Sequence, residues 1–399
     1  MFAATRRVLA LPAALAAAAA LVTAPAAHAS EEPAAPAADK PAAVISLGDS
    51  YISGEAGRWR GNALNDDGTK WGTDLATTCE GGSCTTDPRR VYGDTHTSTD
   101  MCHRSTSAEV VSAAIPGLTA INLACSGATT RDVRQGDASR NQPNQLDLLR
   151  AAVRDHRVAL VVLSIGGNDL WFGDIIADCV KGYLTPFGAY RCAPNWNAKI
   201  TGYFGRLRAD VGATVKAIKE VVNAAQGTGT YRFVLQSYPS PLPAADGFRI
   251  PESGPRFAQG GCPLWDSDAD WARRELVPAV AAQLRAVADD RDVRFLDLQD
   301  ALDGREVCAK GARQATSADT AANPVPGAES EWVRWVVTGY TAQGDLQESM
   351  HPNYYGQRAL GACLRLVHER GVGNFACRNT PGAGPGRMVL SPLLPSTVD

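Results

Sequence analysis

The sequence predicts an α/β fold with three layers, a parallel sheet covered by helices on both faces. Three observations carry this. Short, β-branched apolar runs recur and end in Gly-containing loops; stretches with apolar residues at three- and four-residue steps lie between them; and about 335 residues separate Val44 from Cys377, enough for one large, well-buried domain. No internal repeat is present.

In chain order, Met1–Ala29 reads as an export signal: Arg6 and Arg7, an Ala/Leu-rich stretch to Val22, then the small-x-small pattern Ala27-His28-Ala29. The apolar stretch is too short to span a bilayer, which disfavours a membrane anchor. Residues 30–43, rich in Ala, Pro and Glu, read as a flexible leader, and residues 44–377 as the folded domain. Expected strands are Ala43–Leu47, Ala120–Ala124, Val158–Ile165, Phe233–Leu235 and, more weakly, Val293–Leu296. Expected helices are Ser105–Ala114, Gln145–Arg154, one carrying Ile200, Tyr203, Phe204, Leu207, Val211, Val215, Ile218 and Val222, then Asp268–Ala288 with a kink at Pro278, and Tyr354–Glu369. Two long insertions, 58–99 and 303–344, break the alternation. They hold Trp59, Trp71, Trp332 and Trp335, which either pack the insertions on the core or form an apolar rim for acyl chains. The tail 378–399, rich in Pro and Gly, is expected to be loose.

Composition narrows the function classes. Without the signal, 37 basic residues face 42 acidic ones, a formal charge of −5, which gives no footprint for nucleic acid or an anionic surface. All 10 cysteines follow the signal, an even number in an exported chain, and read as disulfides. Counting does not fix their connectivity. Local spacing favours Cys79–Cys84, Cys179–Cys192 and Cys363–Cys377, with Cys102, Cys125, Cys262 and Cys308 remaining.

In open α/β sheets reactive groups collect where strands end. There stand Gly48-Asp49-Ser50, Ser126-Gly127-Ala128, Gly166-Gly167-Asn168-Asp169 and, far downstream, Glu348-Ser349-Met350-His351-Pro352. Singly, Ser50 reads equally well as a turn former or helix cap, Gly127 as a turn glycine and Asn168 as an Asx turn. Together they supply what acyl transfer needs: a hydroxyl nucleophile (Ser50), a base on a loop (His351), and donors for an oxyanion (the N–H groups of Ser50 and Gly127, the Asn168 amide). His96, His103, His156 and His368 read as structural or solvated. No His/Asp/Glu group shows metal-ligand spacing, and no cofactor is expected.

The order of these four motifs resembles the SGNH hydrolases, also called GDSL esterases/lipases, and within them a secreted, disulfide-rich actinobacterial branch of esterases, lipases and phospholipases A and B. The resemblance covers Val44 to Cys377. It implies a flavodoxin-like sheet and the disulfides Cys102–Cys125, Cys179–Cys192 and Cys262–Cys308. Two residues depart from the family pattern. Tyr51 stands where the name-giving motif has Leu, and Glu348 stands where the family usually has Asp; some members use a backbone carbonyl there instead. We expect the Glu348 carboxylate to orient His351. The expected function is secreted, monomeric hydrolysis of small-molecule or lipid esters with at most transient contact with a lipid surface. A carbohydrate O-acetyl esterase and a non-catalytic binding protein on the same fold are the alternatives.

Overall fold

The computed structural model describes residues 40–64, 71–140, 142–186, 189–337 and 343–394. The expected signal and the leader up to residue 39 lie outside the described residues. Five strands form where the β-branched runs predicted them: β1 (Ala42–Gly48), β4 (Thr119–Asn122), β5 (Arg157–Ser164), β6 (Arg232–Gln236) and β7 (Arg294–Asp297). A hairpin in the first insertion supplies β2 (Thr77–Glu80) and β3 (Ser83–Thr86), with Cys79 directly opposite Cys84. After the last long helix come β8 (Phe375–Asn379) and β9 (Met388–Pro392).

The main sheet runs β4-β1-β5-β6-β7-β8-β9, parallel except for the last pair. Its first five members stand in flavodoxin-like order, so the order in which strands are added reverses at β1, and the crevice at the carboxyl end of β1 is the switch point where such sheets bind ligands. Residues 43–47 of β1 are all buried, as a strand covered on both faces requires. Helices Glu109–Ser112 and Tyr354–Arg370 pack together on one face; Thr130–Gln135, Gln145–Asp155, Ala193–Gln226 and Val277–Asp290 pack on the other. The 34-residue helix Ala193–Gln226 buries Leu207, Val211, Val215, Ile218 and Val222 along one stripe.

Three expectations are corrected. The helix expected over Ser105–Ala114 is confined to Glu109–Ser112, because the Ser107 hydroxyl donates to Gly57 O (2.6 Å) and draws the preceding segment out of helical geometry. The helix expected over Asp268–Ala288 is two helices, Asp266–Trp271 and Val277–Asp290, joined by a π-helical turn over Ala272–Leu276. Pro278 explains it: it has no N–H for the carbonyl four residues back, and its ring needs the wider turn. The tail is not loose throughout. β9 pairs along its whole length with β8 and buries Met388, so the folded part continues past Cys377. Of the two readings of the tryptophans in the insertions, the packing one holds: Trp59, Trp332 and Trp335 are buried and Trp71 half-buried, so they pack the insertions on the core and form no apolar rim. Five disulfides are present, Cys79–Cys84, Cys102–Cys125, Cys179–Cys192, Cys262–Cys308 and Cys363–Cys377.

Candidate active site

β1 ends in a glycine because nothing larger fits. Gly48 has φ 134°, and a Cβ there would lie 1.8 Å from Ser164 O on β5. Gln145 clamps this peptide from both sides, accepting from Gly48 N and donating to Gly48 O, each at 2.8 Å. The next residue, Asp49, caps the short helix Ser50–Ser53 by accepting from Tyr51 N. Ser50 therefore occupies the first helical position, where a backbone N–H has no intrahelical partner.

His351 arrives from the other end of the chain. Its loop is held by Met350 N to Arg334 O (3.0 Å), Arg334 N to His351 O (2.9 Å) and the Tyr51 hydroxyl to Met350 O (2.9 Å). Met350 takes φ 61°, a left-handed conformation uncommon for a side chain of this size. The result is direct: His351 Nε2 lies 2.7 Å from Ser50 Oγ, and His351 Nδ1 lies 2.9 Å from Ser349 O. Burial holds the His351 pKa below the ordinary histidine value, with the Glu55 charge and the Ser349 carbonyl working against it.

Glu348, expected to orient His351, is used elsewhere. One carboxylate oxygen accepts from Trp59 Nε1 (2.8 Å) and Asp345 N (2.9 Å), the other from the Tyr92 hydroxyl (2.7 Å), with Arg58 at 4.0 Å. The side chain is buried, and its pKa is raised by that burial and drawn back by Arg58 and Arg334. Its extra methylene carries the carboxylate into donors supplied by the first insertion, and the Ser349 carbonyl takes the place beside His351.

The loops after β4 and β5 meet through Asn168, whose Nδ2 donates to Ala128 O (2.9 Å). Gly127 is exposed in the turn between them at φ 78°, and Asp169 fixes its own loop by accepting from Thr130 N and Oγ1. Ser50, Asn168 and His351 line one cavity of about 450 Å³, whose other walls are mostly apolar, among them Phe172, Ile176, Val180, Val336 and Leu346.

The sequence profile of the GDSL-like lipase/acylhydrolase family matches residues 46–359, most of the chain and every motif described above. The protein belongs to this family. It is thereby a carboxylic ester hydrolase. Solved structures to which it is similar include the extracellular lipase from Streptomyces rimosus (20% identity over 82% of this chain and 99% of that chain, TM-score 0.48). Others are phospholipase A1 from Streptomyces albidoflavus (20%, 82% and 99%, TM-score 0.47) and an acetylxylan esterase from Geobacillus stearothermophilus (16%, 84% and 97%, TM-score 0.32). No match was found among curated proteins.

Within this GDSL-type site the structure adds residues that the motifs did not single out. Tyr238, two residues past β6, accepts from Gly167 N (2.9 Å) and donates a short hydrogen bond to the Asp49 carboxylate, joining the Ser50 turn to the Asn168 loop. Burial pushes Asp49 up to about 7, and burial likewise raises Tyr238 well above the usual tyrosine value. Tyr238 follows the fourth expected strand, Phe233–Leu235, the same position in sequence that marks Ser50, Gly127 and Asn168 after the first three. His103, expected to be structural or solvated, is buried with Nδ1 2.8 Å from Glu55 and Nε2 2.7 Å from His96 Nδ1. His96, His103 and Asp345 bring one ligand atom each within 4.8 Å, yet the two imidazoles face each other as a hydrogen-bonded pair. In the second such group, Cys179, Cys192 and Asp268, the sulfurs are bonded to one another.

Proposed function

We propose that the protein is a secreted serine esterase that cleaves lipid or phospholipid esters through an acyl-enzyme on Ser50, acting as a monomer without a cofactor. One observation carries the reading: a serine hydroxyl 2.7 Å from an imidazole nitrogen whose partner nitrogen is committed to a carbonyl, on the wall of a largely apolar cavity. As Ser50 Oγ bonds to the ester carbon, its proton passes to His351 Nε2. Collapse of the tetrahedral intermediate breaks the bond to the alcohol oxygen, which takes that proton. Water then repeats the sequence on the acyl-enzyme and frees the acid. The Ser50 N–H, the Gly127 N–H and the second hydrogen of Asn168 Nδ2 serve the oxyanion, each such donor contributing roughly 100- to 1000-fold in rate.

A cavity of about 450 Å³ lined by Phe172, Ile176, Val180 and Leu346 is far larger than an acetyl group needs, which favours longer acyl chains over the carbohydrate O-acetyl alternative. Five disulfides fit an oxidising destination and support secretion. A fluorophosphonate probe should label Ser50 stoichiometrically. Ser50→Ala should fold, escape labelling and lose several powers of ten in kcat on p-nitrophenyl butyrate. A folded Ser50→Ala protein with wild-type turnover, or a wild type inert toward both probe and esters, removes the proposal.

A further inference from the structure

Beside the loop that carries His351, and outside the lining of the Ser50 cavity, three side chains converge that the proposed hydrolysis does not use. His96 Nδ1, His103 Nε2 and a carboxylate oxygen of Asp345 all lie within 4.8 Å of one another. They come from distant parts of the chain, the histidines from the segment after β3 and Asp345 from the turn that leads to His351.

Three features mark this cluster as a site. The first is how the histidines are held. His103 N donates to Thr95 O (3.1 Å) and Arg104 N to Thr95 Oγ1 (2.9 Å), which sets residues 96 and 103 side by side. His103 takes a left-handed φ of 46° there, and Cys102 next to it is bridged to Cys125. The facing nitrogens are 2.7 Å apart while the ring centroids are 4.8 Å apart with 24° between the planes, so the rings meet edge to edge and their in-plane nitrogens point at a common region. The Tyr92 ring lies over the face of His103 at 4.3 Å and fixes its rotation. The second feature is the backing. His103 Nδ1 lies 2.8 Å from the Glu55 carboxylate, with both side chains fully buried. A metal-ligating histidine characteristically gives its other ring N–H to a carboxylate, which fixes the tautomer and strengthens the ligating nitrogen. Glu55 does this for His103 and leaves Nε2 as the lone pair. The third is charge. Arg58, the nearby cation, is paired with Asp74 at 2.9 and 2.7 Å, and the carboxylates of Asp345 and Glu55 supply the negative charge that a divalent ion needs.

We propose that His96, His103 and Asp345 form a zinc site, a clip that fastens the loop carrying His351 to the first insertion. Two imidazoles and a carboxylate are a donor set for Zn2+, with water as the fourth ligand. Ligands about 2.0–2.1 Å from a tetrahedral centre stand about 3.3 Å apart, so the imidazole nitrogens part by about 0.6 Å and Asp345 closes in. His96 and Asp345, both half-buried, make these movements, while the buried His103 stays in place. Protons balance within the pair. His103 keeps its proton on Nδ1 toward Glu55, and His96 transfers to its own Nε2 the Nδ1 proton that it donates to His103, so both rings bind as neutral imidazoles. The metal thus replaces the hydrogen bond between the rings. Asp345 donates its N–H to Glu348 at the start of the turn that leads to His351, so the clip braces that loop without touching the reacting atoms. The site does not depend on the esterase chemistry.

The experiment titrates ZnCl2, and separately CaCl2, into untagged wild type, His96→Ala and Asp345→Asn by calorimetry at about pH 7.5, where the imidazoles are neutral, with disulfides intact. Melting temperatures and kcat on p-nitrophenyl butyrate are taken with and without zinc. Wild type should bind one Zn2+ per chain, melt higher in its presence and keep its kcat, whereas Ca2+, which takes oxygen ligands, should not compete. Each variant should bind zinc at least about tenfold more weakly, since even the partners of a metal ligand are worth roughly 10- to 100-fold in affinity, and should lose the rise in melting temperature. Failure of wild type to bind zinc, or wild-type affinity in a folded variant, overturns the proposal. Zinc inhibition that persists in His96→Ala overturns it too, because the ion then sits on His351. Should one variant not fold, the other decides. A wild type inert on butyrate removes the esterase reading and leaves the calorimetric result standing, so the two failures are distinguishable.

Discussion

A carbonyl oxygen can only accept a hydrogen bond, so Ser349 O at 2.9 Å places the proton of neutral His351 on Nδ1 and leaves the Nε2 lone pair facing Ser50. A neutral carbonyl supports an imidazolium less than a carboxylate does, and burial lowers the His351 pKa from its ordinary 6.5. In the proposed mechanism the base works only when neutral, so activity falls as pH drops through that pKa. The acid limb of kcat/KM on a butyrate ester should therefore lie below 6.5. A limb above about 7 would mean that an anionic partner holds the ring. Glu348→Gln should leave that limb in place and kcat within a factor of a few, and should lower the melting temperature, because it removes a buried charge beside Arg58 and Arg334. A hundredfold loss of kcat with unchanged stability would instead return Glu348 to the catalytic set. The acid three residues before His351 was legible in sequence. Its partners were not, because Trp59 and Tyr92 lie in an insertion whose spacing carries no record of where they pack.

At the scale of elements, the site depends on three strand ends held in register. Asp49 follows β1, Gly167 follows β5 and Tyr238 follows β6, and the Tyr238 hydroxyl bonds both others. Tyr238→Phe keeps the ring on the cavity wall and strands a buried N–H and a buried carboxyl, a cost of about 1–3 kcal/mol per group. With the Asn168 loop no longer fixed to the Ser50 turn, kcat should fall by roughly tenfold while KM stays near wild type, the pattern of an interaction felt mainly in the transition state. Wild-type kcat with only a lower melting temperature would make the bracket purely structural. The central strands were readable because burial on both faces demands unbroken β-branched runs, as at Val158–Ile165, one residue from the observed Arg157–Ser164. β8 and β9 were not. Phe375–Asn379 alternates buried and less buried positions around Cys377 and Arg378, and Met388–Pro392 buries only Met388, so neither carries such a run. Long-range pairing with β7 defines β8, and β8 in turn defines β9. The motif loops of Ser50, Gly127 and Asn168 were legible for the related reason that each closes a strand beside the switch point of the sheet, whereas the His351 loop follows no strand.

Across the whole molecule, buried carboxyl groups raised by burial bear on how stability responds to pH, Glu348 and Asp169 in direction and three others by a large shift. Burial pushes Asp49, Glu109 and Glu306 each up to about 7. In the unfolded chain they titrate near 3.8 for Asp and 4.5 for Glu. Between those values and about 7 the folded state holds protons that the unfolded state has released, so stability falls as pH rises through this window, by at most about 1.4 kcal/mol per pH unit per group. His103, raised chiefly by its hydrogen bond to Glu55 against the burial that lowers it, acts in the same direction: its contribution is complete below 6.5 and lost as pH climbs through its folded value. His351 and His96 are lowered by burial and act oppositely, with stability lost as pH falls below 6.5. Glu55, held low by His103 against its own burial, loses its contribution only in more acidic solution, beneath this window. Because these trends overlap, a single group is best isolated by difference. Glu109 serves, since one oxygen accepts from Gln236 Nε2 at 2.9 Å while the other has no hydrogen-bond partner among the described residues. Glutamine preserves the acceptor and cannot ionise. Urea unfolding of wild type and Glu109→Gln at about pH 5, 6, 7 and 8, with disulfides intact, should show the variant gaining on wild type between about pH 5 and 7 and levelling off by about pH 8, because only the wild type holds a proton within that window. A difference independent of pH would mean that Glu109 is already ionised in the fold, its charge met by groups other than Gln236.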